Sequence, residues 1–371
     1  MSEEMKGTPP GRIVSIDALR GFDMFWITGG AYFFLSLLAF FDNPVANALK
    51  GQLDHTVWHG FTFWDLIFPL FLFIVGTSMP FSLSKRIERG DSKTDLYKHI
   101  IKRTATLLFL GMVYNGLFGL NFENFRYTGV LQRIALCYCI ASIIVVNSKI
   151  KTQAIIAGSV LVLYWIFMKL IPVPGFGFGD LSSEGNLAFY FDRLFLPGRF
   201  VVFSGLGDNE GLLSTLPAVS TTLMGVLSGH WLKTSRSPSE KIKWFGIAGI
   251  SSLVIGLLWG LAFPINKILW TSSYVLFAGG WSILLLALFY WVIDVKGWKK
   301  WAFPFVVIGL NPITIYVAQS VFNFGIIANI FIRGFIDNTG EFEQIIRAFS
   351  VLSVKWLFLY FLYRQRIFLK A

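Results

Sequence analysis

Two histidines and an aspartate open the stretch with the clearest potential for chemistry. Residues 53–76 read L-D-H-T-V-W-H-G-F-T-F-W-D-L-I-F-P-L-F-L-F-I-V-G. His55 and His59 stand four apart, so a helical turn would set both imidazoles on one face. Asp65 follows, a few residues into a run that carries no charge from Leu66 to Gly76. A carboxylate near the centre of a membrane helix costs about 2.5–3.5 kcal/mol on insertion scales, and less near the interface. An ionisable group there marks either a functional site or a buried structural partner. Imidazole titrates near neutrality, which suits a general base or an acyl acceptor. Asp65 would then hold it in one tautomer, as the carboxylate of a catalytic triad does. The plainer reading is two interfacial histidines, with Asp65 capping a helix or pairing inside a bundle. A zinc site from these residues lacks a third protein ligand, and no metal is expected.

Further polar groups punctuate the chain. Residues 126–133 read R-Y-T-G-V-L-Q-R, which sets Gln132 and Arg133 at the start of an apolar run. A buried arginine needs a partner, and Asp65 and Asp192 are the candidates. The Pro/Gly-rich loop 172–211 holds P-V-P-G-F-G-F-G-D, then Asp192 and Glu210; its Gly–Phe alternation reads as an ordered surface lid. Aromatic and acidic groups at a cavity mouth suit a cationic or sugar-like ligand. Lys267 and Trp270 read equally as ordinary interfacial anchors. Asn311-Pro312 can break a helix and expose backbone polar groups, with Tyr316 and Gln319 on the same face. Asp17, Arg20, Arg86, Lys102, Arg103 and Lys243 cluster near helix ends, where basic groups could hold a nucleotide phosphate. The ordinary inward bias of positive charge accounts for most of them as well.

The elements that must position these groups are membrane helices. Of 371 residues, 55% are hydrophobic and 14% charged, against about 25% charged in a soluble domain. Mean hydropathy is +0.63. Apolar runs near 20 residues recur along the whole length, which excludes a soluble enzyme and predicts an all-α polytopic membrane protein. Ten spans are expected, near 19–41, 62–84, 104–120, 129–146, 153–171, 212–232, 244–263, 270–293, 303–324 and 349–363. The net charge of +11 sits in alternate short loops. That pattern fits the positive-inside rule rather than nucleic-acid binding, and it sends both termini to the cytoplasm. The His55 loop and the 172–211 loop then share the outer face. Cys137 and Cys139 lie in an apolar run and read as packing residues. Residues 1–11 are polar, with no cleavable signal pattern. One transmembrane domain is expected over the whole chain.

Taken together, R-I-V-S-I-D-A-L-R-G-F-D, the His55 stretch, G-V-L-Q-R, P-V-P-G, D-R-L, E-G, N-K-I-L-W-T-S-S-Y and G-L-N resemble the heparan-α-glucosaminide N-acetyltransferase family. The motifs come in the family's order and run from Arg12 to the tail. The resemblance is to the family's catalytic membrane part. It implies transfer of the acetyl group of cytosolic acetyl-CoA across the membrane to a glucosamine amine, and it fits a homodimer. A cell (inner) membrane is expected because no lysosomal signal or luminal domain is read in the sequence. It puts the catalytic histidine on His55 and the motif's aspartate on Asp65. It carries Gln132, Arg133, Lys267, Trp270 and Asn311 over as cavity residues. His59 stands where the lysosomal enzyme has an asparagine, and Thr28 lies near that enzyme's asparagine-rich end of its first span, so the sugar pocket differs. The donor's phosphates would rest at the cytoplasmic basic mouth, and its thin pantetheine arm would thread between spans toward His55. The rival readings are a permease for an amino sugar or other small solute, and a membrane O-acyltransferase acting on cell-envelope glycan.

Overall fold

The computed structural model describes residues 13–336 and 338–368. The polar N-terminal stretch 1–11, Arg12 and the tail residue Lys370 lie outside them. Fifteen α-helices follow in order: α1 Val14–Phe25, α2 Ala31–Leu38, α3 Pro44–Gln52, α4 Phe63–Glu88, α5 Lys93–Tyr114, α6 Val130–Asn147, α7 Ile150–Leu170, α8 Leu187–Phe195, α9 Leu212–Lys233, α10 Pro238–Gly260, α11 Ser272–Phe289, α12 Phe303–Leu310, α13 Pro312–Val321, α14 Phe324–Ile336 and α15 Glu343–Arg364. Polar caps set several starts. Asn43 accepts from Ala46 N, Ser237 from Glu240 N, and Ser92 with Asp95 forms a reciprocal box.

Among the described residues, eight helices are long and apolar enough to cross a membrane, or nine when the bent pair at Asn311 counts as one span. This is a multi-pass α-helical membrane protein. Ten spans were expected. The stretch near 104–120 falls on α5, whose first half carries Lys93, Lys98, Lys102 and Arg103, so its apolar part is too short. The Asn311-Pro312 break is real: the segments 300–310 and 312–321 meet at 62°. Proline removes an N–H and its ring crowds the preceding turn. A shorter apolar helix, Phe324–Gly334, follows where no span was expected.

The chain divides into two compact units. The first comprises residues 1–55, 62–67 and 285–371. Here α1 packs on α12 at backbone distance, because Gly21 lies against the Phe305 carbonyl and Gly309 against that of Asp17. Between α1 and α2 the helix widens over Trp26–Gly30, and Gly29 has φ +137°. Lys355 of α15 donates to the Thr28 carbonyl at 2.7 Å and to Gln319 Oε1 at 2.9 Å.

The second unit comprises residues 56–61 and 68–284. Gly76 of α4 meets the backbone of Thr222, while Gly225 and Gly229 of α9 meet that of Phe73 and Thr77. Under the long loop lies an apolar cluster that includes Tyr164, Met168, Phe189, Phe263 and Leu269. The loop 172–211 is ordered around α8, which Asn186 caps by accepting from Phe189 N at 2.8 Å.

Candidate functional site

In the first unit the helix start and the reactive pair are one construction. Thr62 precedes α4, and Asp65 is the third residue inside it. Asp65 Oδ2 accepts from Thr62 N at 3.2 Å and from Thr62 Oγ1 at 3.1 Å, while Asp65 N donates to Thr62 O at 3.1 Å. This is one half of a capping box, the side chain of the third residue reaching back to the backbone N–H before the helix, with aspartate in the glutamate's place. It leaves Oδ1 for the imidazole: His55 Nδ1 lies 2.8 Å away. The Asp65 side chain is 1% exposed and that of His55 48%, so the carboxylate is enclosed while the ring stays accessible. An ionised carboxylate only accepts, so Nδ1 carries the proton and Nε2 keeps its lone pair. Thr62 Oγ1 also bonds the Asp54 carbonyl at 2.6 Å, and Phe63 N donates to Gln52 Oε1 at 3.0 Å. These bonds tie the His55 loop to the helix start.

The expected helical turn carrying both histidines is absent. Residues 53–62 are irregular, because caps and side chains take the backbone groups a helix would use. In the second unit, His59 Nδ1 instead accepts from Asn266 Nδ2 at 3.3 Å, and Gly60 N donates to Ile265 O at 2.9 Å. Burial pushes the His59 imidazole below its ordinary pKa, which favours the neutral ring. Trp58 anchors the same stretch through Leu181 O at 2.9 Å and the ring of Phe203 at 5.2 Å.

Arg133 does not use a carboxylate partner as expected. Its Nη2 donates to Gly211 O at 3.1 Å and to Ser214 Oγ, and its guanidinium lies 4.9 Å above the Trp270 ring. Trp270 is buried, has φ +52° and donates Nε1–H to Thr221 Oγ1 at 3.2 Å. Lys267 supplies the carbonyl that Trp270 N bonds, at 3.1 Å. Arg133 Nε and Nη1 and Gln132 Nε2 are buried donors with no acceptor among the described residues. Asp192 is also occupied: its Oδ1 accepts from Leu212 N at 2.8 Å, capping α9 from outside the helix. Burial outweighs that bond and pushes the Asp192 carboxyl up to about 7.

Glu210, expected at a cavity mouth, is engaged by Arg126. The guanidinium reaches Asp208 at 2.9 and 2.7 Å and Glu210 at 2.5 Å. Burial raises the Glu210 carboxyl despite that cation. For Asp208 burial pulls the same way, but the paired bonds from Arg126 win and hold it low. Local spacing does not join the two stretches, since 82 residues separate Arg126 from Asp208.

The remaining expected residues scatter. Asn311 is fully buried and donates Nδ2–H to Ile367 O at 3.0 Å. Asp17 and Arg20 pair at 3.2 Å, and Arg20 also reaches Gly309 O at 3.3 Å, so they tie α1 to α12. Thr28 is buried at the widened turn, its hydroxyl on Phe25 O at 3.2 Å. Arg103 lies 4.4 Å over the Tyr138 ring, Arg86 bonds Asp91 at 3.0 Å, and Lys102 and Lys243 are exposed. Thr62, absent from the residues expected at the site, is the neighbour that holds Asp65 in place. Its signal was present as T-x-x-D ahead of an apolar run.

Sequence comparisons place the chain among known proteins. Residues 12–260 match the family model described as heparan-alpha-glucosaminide N-acetyltransferase, catalytic. The curated protein of that name from Mus musculus is 29% identical over 373 aligned residues, covering 85% of this chain and 56% of the relative. The one from Homo sapiens is 27% identical over 428, covering 97% and 60%. The chain therefore spans less than two thirds of the length of these relatives. The family model covers well over half of this chain, His55, Asp65, Gln132 and Arg133 included, and the chain belongs to the heparan-α-glucosaminide N-acetyltransferase family.

Proposed function

We propose that this chain is a transmembrane acetyltransferase that moves the acetyl group of acetyl-CoA to the amine of a glucosamine-type sugar. The observation that carries the reading is the His55–Asp65 pair at 2.8 Å, with the carboxylate buried and the imidazole half exposed. His55 Nε2 takes the proton of the attacking amine as nitrogen bonds to the thioester carbonyl. The tetrahedral intermediate then breaks its C–S bond, and the imidazolium returns the proton to the departing sulfur, giving amide and free thiol. The same lone pair also serves a two-step route through an acetyl-imidazole. Asp65 stabilises the imidazolium in both.

For the second unit, we assign the unpartnered donors of Gln132 and Arg133 to an acceptor atom of a substrate. Lys102, Arg103 and Lys243 are the proposed holders of the nucleotide phosphates. Both termini lie on the donor side in this reading, in a bacterial inner membrane, with two copies forming the working unit. The test uses proteoliposomes with acetyl-CoA inside and glucosamine outside. Acetylated sugar gathering outside supports the transferase. Unmodified sugar entering the lumen overturns it in favour of a permease.

A further inference from the structure

Asp23 and Trp26 are the most conspicuous unmatched pair in the first unit. Asp23 lies in α1 and is fully buried, and among the described residues neither of its carboxyl oxygens has a hydrogen-bond partner. One turn further on, Trp26 Nε1–H is also buried without a partner. Residues three apart share a helix face, here about 4.5 Å apart along the axis. An acceptor group and a donor group, both desolvated and both unmet, are costly to a folded protein. Lys355, which bonds this helical segment, is committed to Thr28 O and Gln319 Oε1.

Their position gives the pair a meaning. Trp26 begins the widened turn Trp26–Gly30, the kind of irregularity that often marks function in a membrane helix. Its indole meets Phe63 edge-on, with ring centroids 4.9 Å apart. Phe63 is the first residue of α4 and stands two before Asp65. The pair therefore runs along α1 away from the layer that holds His55 and Asp65.

We propose that Asp23 and Trp26 bind the amide groups of the donor's pantetheine arm, which rests on the acetyl-CoA reading above. An extended arm with alternating N–H and C=O groups offers a donor to the carboxylate and an acceptor to the indole. A simple cation would leave the indole N–H idle. The thioester end of such an arm lies beyond Trp26, on the side of Phe63 and Asp65.

The test compares Asp23→Leu and Trp26→Phe with the parent, using acetyl-CoA and S-acetyl-2-mercaptoethanol, a thioester with no amide. Each substitution is expected to raise the acetyl-CoA KM about tenfold, as loss of one hydrogen bond does, with kcat within about twofold. The amide-free thioester should lose at most twofold. Asp23→Leu should also raise the Tm of the ligand-free protein, because it removes an unpaired buried carboxylate, while the stabilisation by added acetyl-CoA shrinks. Trp26→Phe keeps the packing on Phe63 and serves where Asp23→Leu fails to fold. An acetyl-CoA KM unchanged in the variants overturns the proposal. So does an equal loss with both donors, which would mark a structural role. A parent protein that neither binds nor turns over acetyl-CoA defeats the proposed function itself, a different result.

Discussion

Thr62 donates its backbone N–H to Asp65 Oδ2 across 3.2 Å, so the bond that starts α4 also aims the carboxylate at His55. Helix capping and tautomer control are the same arrangement. Thr62→Ala keeps that backbone bond but removes the hydroxyl's bonds to Asp65 and the Asp54 carbonyl, and should lower stability by about 1 kcal/mol, the usual net worth of a hydrogen bond. It should also lower kcat about tenfold, since Asp65 loses one of its guides, with little change in KM. Thr62→Ser should restore most of both. Thermal unfolding and steady-state kinetics on the three proteins decide it. A variant that loses stability but keeps full kcat would separate the cap from the chemistry.

His55 and Asp65 should respond differently to substitution. The half-exposed His55 ring supports little packing, so His55→Ala should fold with a Tm within a few degrees of the parent and show no measurable transfer. Asp65→Asn should fold too, but its amide can donate to Nδ1 and select the wrong tautomer. A drop of roughly 10²–10⁴ in kcat is expected, in line with other imidazole–carboxylate pairs. Rates of acetylated sugar formation give both numbers, and near-parental turnover by His55→Ala would end the assignment.

Much of this was readable from residue types. The apolar periodicity announced a helical membrane protein, and the Asn311-Pro312 break followed from proline's missing N–H. The His55–Asp65 pair was legible because both ends lie within ten residues. What failed was whatever depended on distant partners. Arg126 meets Asp208 and Glu210 across more than eighty residues, and Arg133 Nη2 bonds a carbonyl and a hydroxyl instead of a carboxylate. Neither choice is written in local spacing. The expected His55–His59 face failed for the opposite reason, since local side-chain caps displaced a helix that spacing alone allowed.

The Arg126 cluster should be structural. Asp208 is fully buried and Glu210 nearly so, and one guanidinium serves both. Arg126→Met leaves two carboxylates without their cation, which should cost about 3–5 kcal/mol. Adding Asp208→Asn and Glu210→Gln should recover much of that loss. Denaturant or thermal unfolding of the single and triple variants tests the point; a single variant as stable as the parent would refute it.

Asp192 links stability to pH. Its carboxyl titrates at about 7 when folded and near 3.8 when unfolded. Between those values the folded protein holds a proton that the unfolded chain has released. Stability from this group is therefore full below about pH 4 and declines as pH rises through 7, by on the order of 4 kcal/mol in all. Asp192→Asn keeps an oxygen for Leu212 N and removes the titration. Its Tm should fall less than the parent's between pH 5 and 8. Parallel Tm curves for the two proteins would show that Asp192 does not titrate in that range.

Gly225 inverts the usual rule for helix glycines. Replacing an exposed helical glycine with alanine normally stabilises by up to about 1 kcal/mol. At Gly158 on α7 and Gly246 on α10 a new Cβ would meet nothing within 4 Å, so alanine there should be neutral or stabilising. At Gly225 the same Cβ would overlap the Phe73 carbonyl, with Phe73 C at 2.8 Å and Thr77 N at 3.0 Å. Those atoms belong to the backbone of α4 and cannot rotate aside. Gly225→Ala must push α9 away from α4, a core overpacking that typically costs 1–3 kcal/mol. Unfolding of the three alanine variants in the same detergent should show loss only at Gly225. An equal response at all three positions would mean that α9 and α4 do not pack backbone to backbone.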